Sequence, residues 1–387
     1  MTPFAPTLQA AHDRIQAVRP PEYARTRNAL TGAVTRLSPY ITHGFVSLPE
    51  VYAGVTAAHP LDDQHKFVFE LGWRAYFQHV WSHLGDGIHR SLHEGLMPDA
   101  AYAQALPDDI TQARTGVPAI DCAVRELYAT GYLHNHARMW LASYVVHVRK
   151  VHWHVGAEWL YSHLLDGDLA SNHLSWQWVA GTGSSKPYVF NAENVQRYAP
   201  PAWHSPGTVI DTSYEALDRI ARSSRPAAFG RSAVAGISPP ELFGAPPQPD
   251  DFSPADAQAV QGRDVWLVHP WALGALPADL PPQTLVLGIA LVEFHQAHPW
   301  TARRWSFVTE RMAQLAPLRW YDQAQAVGTA LRGARSVHLV PDAHLRTIGQ
   351  PWLPANVEQH AAARLFKPVP ELCSSFSKWW GRSGIVR

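Results

Sequence analysis

From Phe4 to about Trp203 the apolar residues recur at the three- and four-residue spacing of packed helices, broken at Pro20-Pro21, Pro39, Pro49, Pro60, Pro98, Pro107, Gly116 and Gly131. This pattern predicts an all-α domain over residues 1–222. Between Ser223 and Gly262 the periodicity gives way to a stretch rich in Pro, Gly, Ala and Ser, which reads as a linker covering residues 223–263. Four short apolar runs of buried-strand character follow: VWLVH (265–269), TLVLGIAL (284–291), LRWY (318–321) and SVHLV (336–340). An amphipathic helix from Thr301 to Leu315 separates the second from the third, and another from about Gln323 to Arg332 separates the third from the fourth. Strands alternating with helices imply a small parallel α/β domain over residues 264–387. No repeat of 20 to 50 residues is present.

Three segments carry candidate chemistry. FVFELGWRAYFQHVW (67–81) reads as one buried helix with Glu70, Trp73, Arg74 and Phe77 on a single face. A core helix with an ion-paired glutamate is one account of it. A carboxylate among so many aromatics is costly unless a ligand or partner satisfies it, which is the other. GYLHNHARMWLASYVVH (131–147) places Asn135, Arg138 and Met139 on one face after a Gly131 suited to ending the preceding helix. In LLDGDLASNHLSWQWVAGTGSSKPYVFN (164–191), Asp166, Asp168 and Asn172 precede Trp176 and Trp178, whose i, i+2 spacing turns them toward different neighbours. GTGSSK lacks the spacing of a phosphate-binding P-loop. Six histidines crowd residues 134–163, yet no HExxH or comparable ligand set occurs, so no metal is expected.

Composition narrows the function classes. The 387 residues carry 32 Lys+Arg against 32 Asp+Glu, a balance that signals neither a nucleic-acid coat nor a membrane surface but allows a local basic groove. Two cysteines, Cys122 and Cys373, cannot build a disulfide framework or a four-cysteine iron–sulfur cluster, and they suit a reducing compartment, so a cytoplasmic protein is expected. Tryptophan is unusually abundant, 16 residues, in a side chain suited to stacking on planar ligands and bases.

Residues 1–204 resemble the flavin-binding helical domain of the DNA photolyase and cryptochrome family. The resemblance rests on YARTRNALTGAVTRLSPYITHGFVS (23–47), FELGWRAYF (69–77), RTGVPAIDCAVRELYATGYLHNHARMW (114–140) and DGDLASNHLSWQW (166–178), in the family's order and spacing. It implies an FAD cofactor, with any second, antenna chromophore left unknown. It also implies a carbon–carbon lyase activity: light-driven repair of cyclobutane pyrimidine dimers in damaged DNA, by electron transfer from reduced FAD. The resemblance assigns Tyr23, Thr35, Arg36, Leu37 and Ser38 to the flavin diphosphate, with Val34 standing where the family usually has Thr. Arg74, Arg138, Asp166, Asp168 and Asn172 fall to the rest of the flavin, Asn172 opposite its N5. Glu70 and Asn135 are the candidate catalytic residues with Asn172, and both also fall among the cofactor contacts. Trp73, Met139 and Trp178 are the implied substrate contacts. Enzymes for the 6-4 photoproduct usually carry His at the positions of Asn135 and Met139, so cyclobutane dimers are the expected substrate.

Two departures stand out. Trp176 and Trp153 match the first two tryptophans of the family's electron chain, but the third position is Ile110, leaving Trp140, Trp159 or Trp81 as substitutes. The α/β domain, which in the family precedes the flavin domain, here resembles a shortened form placed after it. The rival reading is a cryptochrome-like blue-light photoreceptor without repair activity. A chain that ends soon after SSFSKWWGRSGIVR and keeps its pocket residues argues for repair. A monomer is expected, with no membrane partner.

Overall fold

A computed structural model describes residues 4–226, 234–348 and 352–386. The helices that build the site are α1 (Lys66–Leu84), α2 (Pro118–Thr130), α3 (Asn135–Ser143), α4 (Trp153–His163) and α5 (Leu169–Ala180). The sheet half contributes α6 (Ala302–Leu315) and α7 (Ala324–Leu331), and α8 (Phe376–Ser383) follows them. The expected helix over 67–81 is longer at both ends: the His65 ring accepts from the Phe67 N–H, and Gly85 closes α1 at φ 52°. Gly131, at φ 70°, ends α2 as its position suggested. Between α3 and α4 the backbone widens into one π-helical turn, Tyr144–Val148, every residue of which is buried. Thr301 and Gln323 are N-caps, so α6 and α7 start one residue later than the sequence pattern suggests.

The chain combines this helical half with a five-stranded, wholly parallel sheet: β1 (Asp264–Val268), β2 (Leu285–Leu291), β3 (Leu318–Asp322), β4 (Ser336–Leu339) and β5 (Val357–Gln359), in the spatial order β3-β2-β1-β4-β5. The fifth strand escapes sequence reading because its three residues, Val357 to Gln359, are largely exposed and show no apolar run. A one-and-a-half-turn helix, Val292–Ala297, is missed likewise: it leaves β2 directly, with no side-chain cap to mark it. Within the Pro- and Gly-rich stretch, Leu242–Phe243 pair antiparallel with Trp300–Thr301, too short a ribbon to show a period, and residues 227–233 of that stretch lie outside the described residues.

In sheets of this winding, ligands enter at the ends of β1 and β4, where the strand order reverses. Here side chains fill that place: His269 Nε2 lies 2.8 Å from the Val340 carbonyl, and Trp271 stacks on His344 at 4.4 Å.

The two halves share one apolar core, in which Phe67, Val68 and Leu71 of α1 join Val265, Leu267 and Val337 of the sheet, while a second core lies within residues 110–210. His43 bridges the junction, its ring nitrogens 2.6 Å from the Pro270 carbonyl and 3.0 Å from that of Leu165. Arg304, fully buried on α6, donates to the Gly167 carbonyl at 2.6 Å with its guanidinium 4.0 Å from the Trp300 ring. Among the described residues no helix is long and apolar enough to cross a membrane.

Burial pushes His43 down to about 3, aided by the charge of Arg304, and holds His134 and His147 down at about 4. The unfolded chain takes these protons first, below about pH 6.5, so the stability present above that pH is lost as pH falls toward 4 and 3. Each histidine is expected to account for about 1–3 kcal/mol of that loss. Urea titrations at pH 7 and pH 4.5 check this, and equal unfolding free energies at the two values would refute it.

Candidate functional site

Two adjoining cavities, of about 190 and about 250 Å³, open in the helical half. Ser38, Glu70, Arg74 and Asn135 line both. The first is walled by α1, α3 and α5 and also receives Trp73, Arg138, Met139, Asp166, Asp168, Asn172 and Trp176. The second receives Tyr23, Thr35, Arg36 and Leu37. The structure thus brings together, in one connected space, every residue that the sequence assigned to the cofactor.

The polar walls are held by specific bonds. Arg138 Nη2 donates to both oxygens of Asp166 at 2.9 and 2.8 Å, and its Nε donates to the Leu133 carbonyl, so the pair leaves one face of the guanidinium toward the cavity. Asp168 caps α5 by accepting from the Ser171 N–H at 2.7 Å, and its other oxygen accepts from Gln78 Nε2 at 2.8 Å. Arg74 donates to Thr42 Oγ1 at 2.8 Å and lies 3.8 Å from Asp168. Asn172 Nδ2 donates to the Ala157 carbonyl at 2.8 Å, which fixes the amide and leaves its oxygen unengaged by that bond. Glu70, its side chain 40 % exposed, is met by Arg27 Nε at 3.3 Å. Tyr23 has its pKa raised by burial and then by Glu70, so the phenol keeps its proton as a donor.

Sequence reasoning missed Gln78, although it falls on the Glu70–Arg74 face of α1 at i+4 from Arg74, a signal that was there to read. Arg27 gave none, since nothing local brings it 43 positions along to Glu70.

The two tryptophans of α5 part as their spacing requires. Trp176 is 2 % exposed, and its ring edge lies where a side chain on Gly156 would sit, 2.4 Å from a Cβ placed there. Trp178 is 38 % exposed and lines a separate groove beside Trp73, opposite Leu372 to Ser377. The substrate trio is therefore divided: Trp73 and Met139 face the first cavity, and Trp178 meets only Trp73 across the groove.

Phe376, at the start of α8, stacks on Trp73 with ring centroids 4.1 Å apart and planes 10° from parallel. Gly72 lets Trp380 of the same helix approach, its ring 2.4 Å from where a Cβ would stand. A stacking surface expected for substrate thus carries a ring of the chain itself.

Trp153 has ring contacts with His152, His154 and His173, whereas Trp140 contacts His136, Phe190 and Trp203. Among the described residues these two tryptophans belong to different aromatic clusters, and Ile110 is fully buried.

The pair of cavities fits FAD. Arg27, Arg36 and Arg74 face a single carboxylate in the second cavity, a balance suited to a diphosphate. Ser171 Oγ, buried against the first cavity, has no hydrogen-bond partner within the protein, which an added ligand would correct.

These features define a flavin-binding domain. Residues 67–203 match the FAD binding domain of DNA photolyase. A deoxyribodipyrimidine photo-lyase of Synechococcus sp. is 36 % identical over 183 residues, covering 44 % of this chain and 37 % of that protein. One of Thermus thermophilus is 35 % identical over 235 residues, 54 % of each chain. Cryptochrome DASH, chloroplastic/mitochondrial, of Oryza sativa subsp. japonica is 34 % identical over 169 residues, 42 % of this chain and 29 % of that protein. Residues 67–203 are thus similar to the FAD-binding domain of DNA photolyase, and FAD is the cofactor that such a domain binds. The chain matches between 29 and 54 % of the length of these three relatives.

Gly156→Ala places a methyl group against Trp176 and is expected to cost about 1–3 kcal/mol of stability. It is also expected to alter the visible spectrum of bound flavin. Unfolding in urea checks the first effect, and unchanged stability would show that the ring yields freely.

Proposed function

We propose that this protein uses light to split cyclobutane pyrimidine dimers in DNA, breaking two carbon–carbon bonds with no net oxidation or reduction. The observation that carries the reading is a shared cavity: Glu70, Trp73, Asn135 and Met139, matched to the lesion, line the same space as Arg138, Asp166, Asp168 and Asn172, matched to the flavin. When bound, reduced FAD supplies the electron that light makes available. Glu70 and Asn135 offer hydrogen-bonding groups to the edges of the flipped bases, and Trp73 and Met139 offer apolar surface that excludes water. Asn172, oriented by Ala157, presents its carbonyl oxygen to the flavin ring, and the ion-paired Arg138 and Asp166 keep that part of the cavity polar and rigid. Flipping the dimer out of the duplex costs a few kcal/mol, least for a lesion that already stacks poorly, which supplies selectivity. The protein would act in the cytoplasm on damaged DNA, as a monomer.

One observation favours the second reading, a photoreceptor without repair: Phe376 covers Trp73, and a base can stack on that face only after Phe376 leaves. The names of the relatives include both photo-lyase and cryptochrome DASH.

Irradiated oligo-dT incubated under blue light with chemically pre-reduced protein separates the two. Loss of dimers is expected, with Glu70→Ala lowering the yield roughly 10- to 100-fold, the range for losing a charge-assisted hydrogen bond, at unchanged FAD content. Intact dimers with the wild-type protein would favour the photoreceptor. In a separate measurement on oxidised protein, Trp176→Phe is expected to abolish photoreduction and Trp153→Phe to slow it, while repair by pre-reduced protein survives both changes. A tryptophan radical persisting in Trp153→Phe by transient absorption would show that the charge leaves by another route.

A further inference from the structure

Beside Asn172, four histidines converge on one carboxylate. Glu158 Oε1 lies 2.8 Å from His173 Nε2, 3.5 Å from His154 Nε2 and 3.7 Å from His89 Nδ1, while Oε2 lies 3.3 Å from His298 Nδ1. His154 and Glu158 share a face of α4 at i, i+4, His173 comes from α5, and His89 closes the short turn after α1. His298 reaches in from the sheet half, one residue past the helix Val292–Ala297.

The hydrogen bonding of His173 shows what the cluster lacks. Its Nδ1 is 2.9 Å from the Leu169 carbonyl, which can only accept, so Nδ1 carries the hydrogen. In a neutral ring Nε2 is then a bare lone pair, aimed at a carboxylate oxygen 2.8 Å away. Two acceptors at that distance repel unless positive charge lies between them. A proton on His173 supplies that charge, and so does a metal ion, which also engages lone pairs of His89 and His154; an imidazole held by a backbone carbonyl through its other nitrogen is the usual arrangement of a metal-bound histidine.

We propose that His89, His154, Glu158 and His173 bind one divalent transition-metal ion of zinc-like preference, with His298 holding the second oxygen of Glu158. Their ligand atoms lie within 4.8 Å of one another. Bonds of about 2.0–2.2 Å in a tetrahedron imply ligand atoms roughly 3.4 Å apart. Of the three separations from Glu158 Oε1, those of 3.5 and 3.7 Å already meet this, and the 2.8 Å contact has to lengthen. Three imidazoles and one carboxylate suit zinc, and four protein ligands make a closed, structural site. His173 is fully buried, whereas His154 and Glu158 are about one-third exposed, which leaves a way in for the ion. No local motif signals this cluster, because His89, His173 and His298 lie outside the histidine-rich window.

The test uses the full chain with its flavin, stripped with chelator and titrated with Zn2+ in a calorimeter and with Co2+ followed by visible absorption. One ion per chain is expected, with the intense Co2+ bands of tetrahedral nitrogen and oxygen coordination. Glu158→Gln keeps the shape, puts an N–H donor opposite His173 Nε2 and should weaken binding at least tenfold. His298→Ala should weaken it about 10- to 100-fold, the usual effect of losing a group that orients a ligand. His338→Ala, in the more exposed group His338, Glu358 and His360, should leave the affinity unchanged. Absence of stoichiometric binding by the wild type, or binding that survives Glu158→Gln and is lost in His338→Ala, would overturn the assignment.

Discussion

The architecture turns on a buried arginine. Arg304 lies within the sheet half, yet its strongest contact is the Gly167 carbonyl, in the turn that separates Asp166 from Asp168. A guanidinium taken wholly out of water is tolerable only if its donors and its charge are met. Here the aromatic faces of Trp300 and Tyr161, at 4.0 and 4.8 Å, meet the charge, and backbone oxygens of the helical half accept from Nη1 and Nη2, while the buried Nε has no hydrogen-bond partner. Burial lowers its pKa, but an arginine starts high enough to stay charged. The turn so fixed carries one carboxylate to Arg138 and the other to the start of α5, and those contacts in turn set the wall of the first cavity. The sheet half therefore shapes the two cavities without contributing a side chain to the lining of either.

The helix α5 has several neighbours to satisfy at once. Consecutive residues on a helix point about 100° apart, and Asn172 and His173 illustrate the consequence: the former lines the first cavity and the latter meets Glu158. Trp176 and Trp178 divide in the same manner between a packed interior and an open groove. Such a helix is apolar nearly all round, with polar atoms wherever a site needs them.

Much of this was legible because it is periodic. The face shared by Glu70, Trp73, Arg74 and Phe77 and the stripe of Asn135, Arg138 and Met139 are properties of a 3.6-residue repeat, and those residues do line the first cavity. Four strands and two helices of the sheet half could be read for the same reason, since their apolar runs are long enough to register. What escaped has no local period. A three-residue strand, the 43-position reach from Arg27 to Glu70 and the gathering of His89, His154, His173 and His298 depend on how distant elements come together. The pairing of Phe376 with Trp73 spans most of the chain, and the sequence around SSFSKWWG offers no sign of which surface it meets.

That last contact turns binding at the groove into a competition. A ring attached to the same chain competes intramolecularly, independent of how dilute the protein is. A planar guest that stacks on the covered face of Trp73 has to displace it, and the free energy of parting two stacked rings, about 0.5–1.5 kcal/mol beyond the area they bury, is subtracted from every such encounter alike. Weak, transient stacking by ordinary bases is suppressed most in relative terms, while a guest that also engages Glu70 and Asn135 can prevail. The stack between Trp73 and Phe376 thus works as a threshold, setting how much additional contact a ligand has to bring before it is admitted.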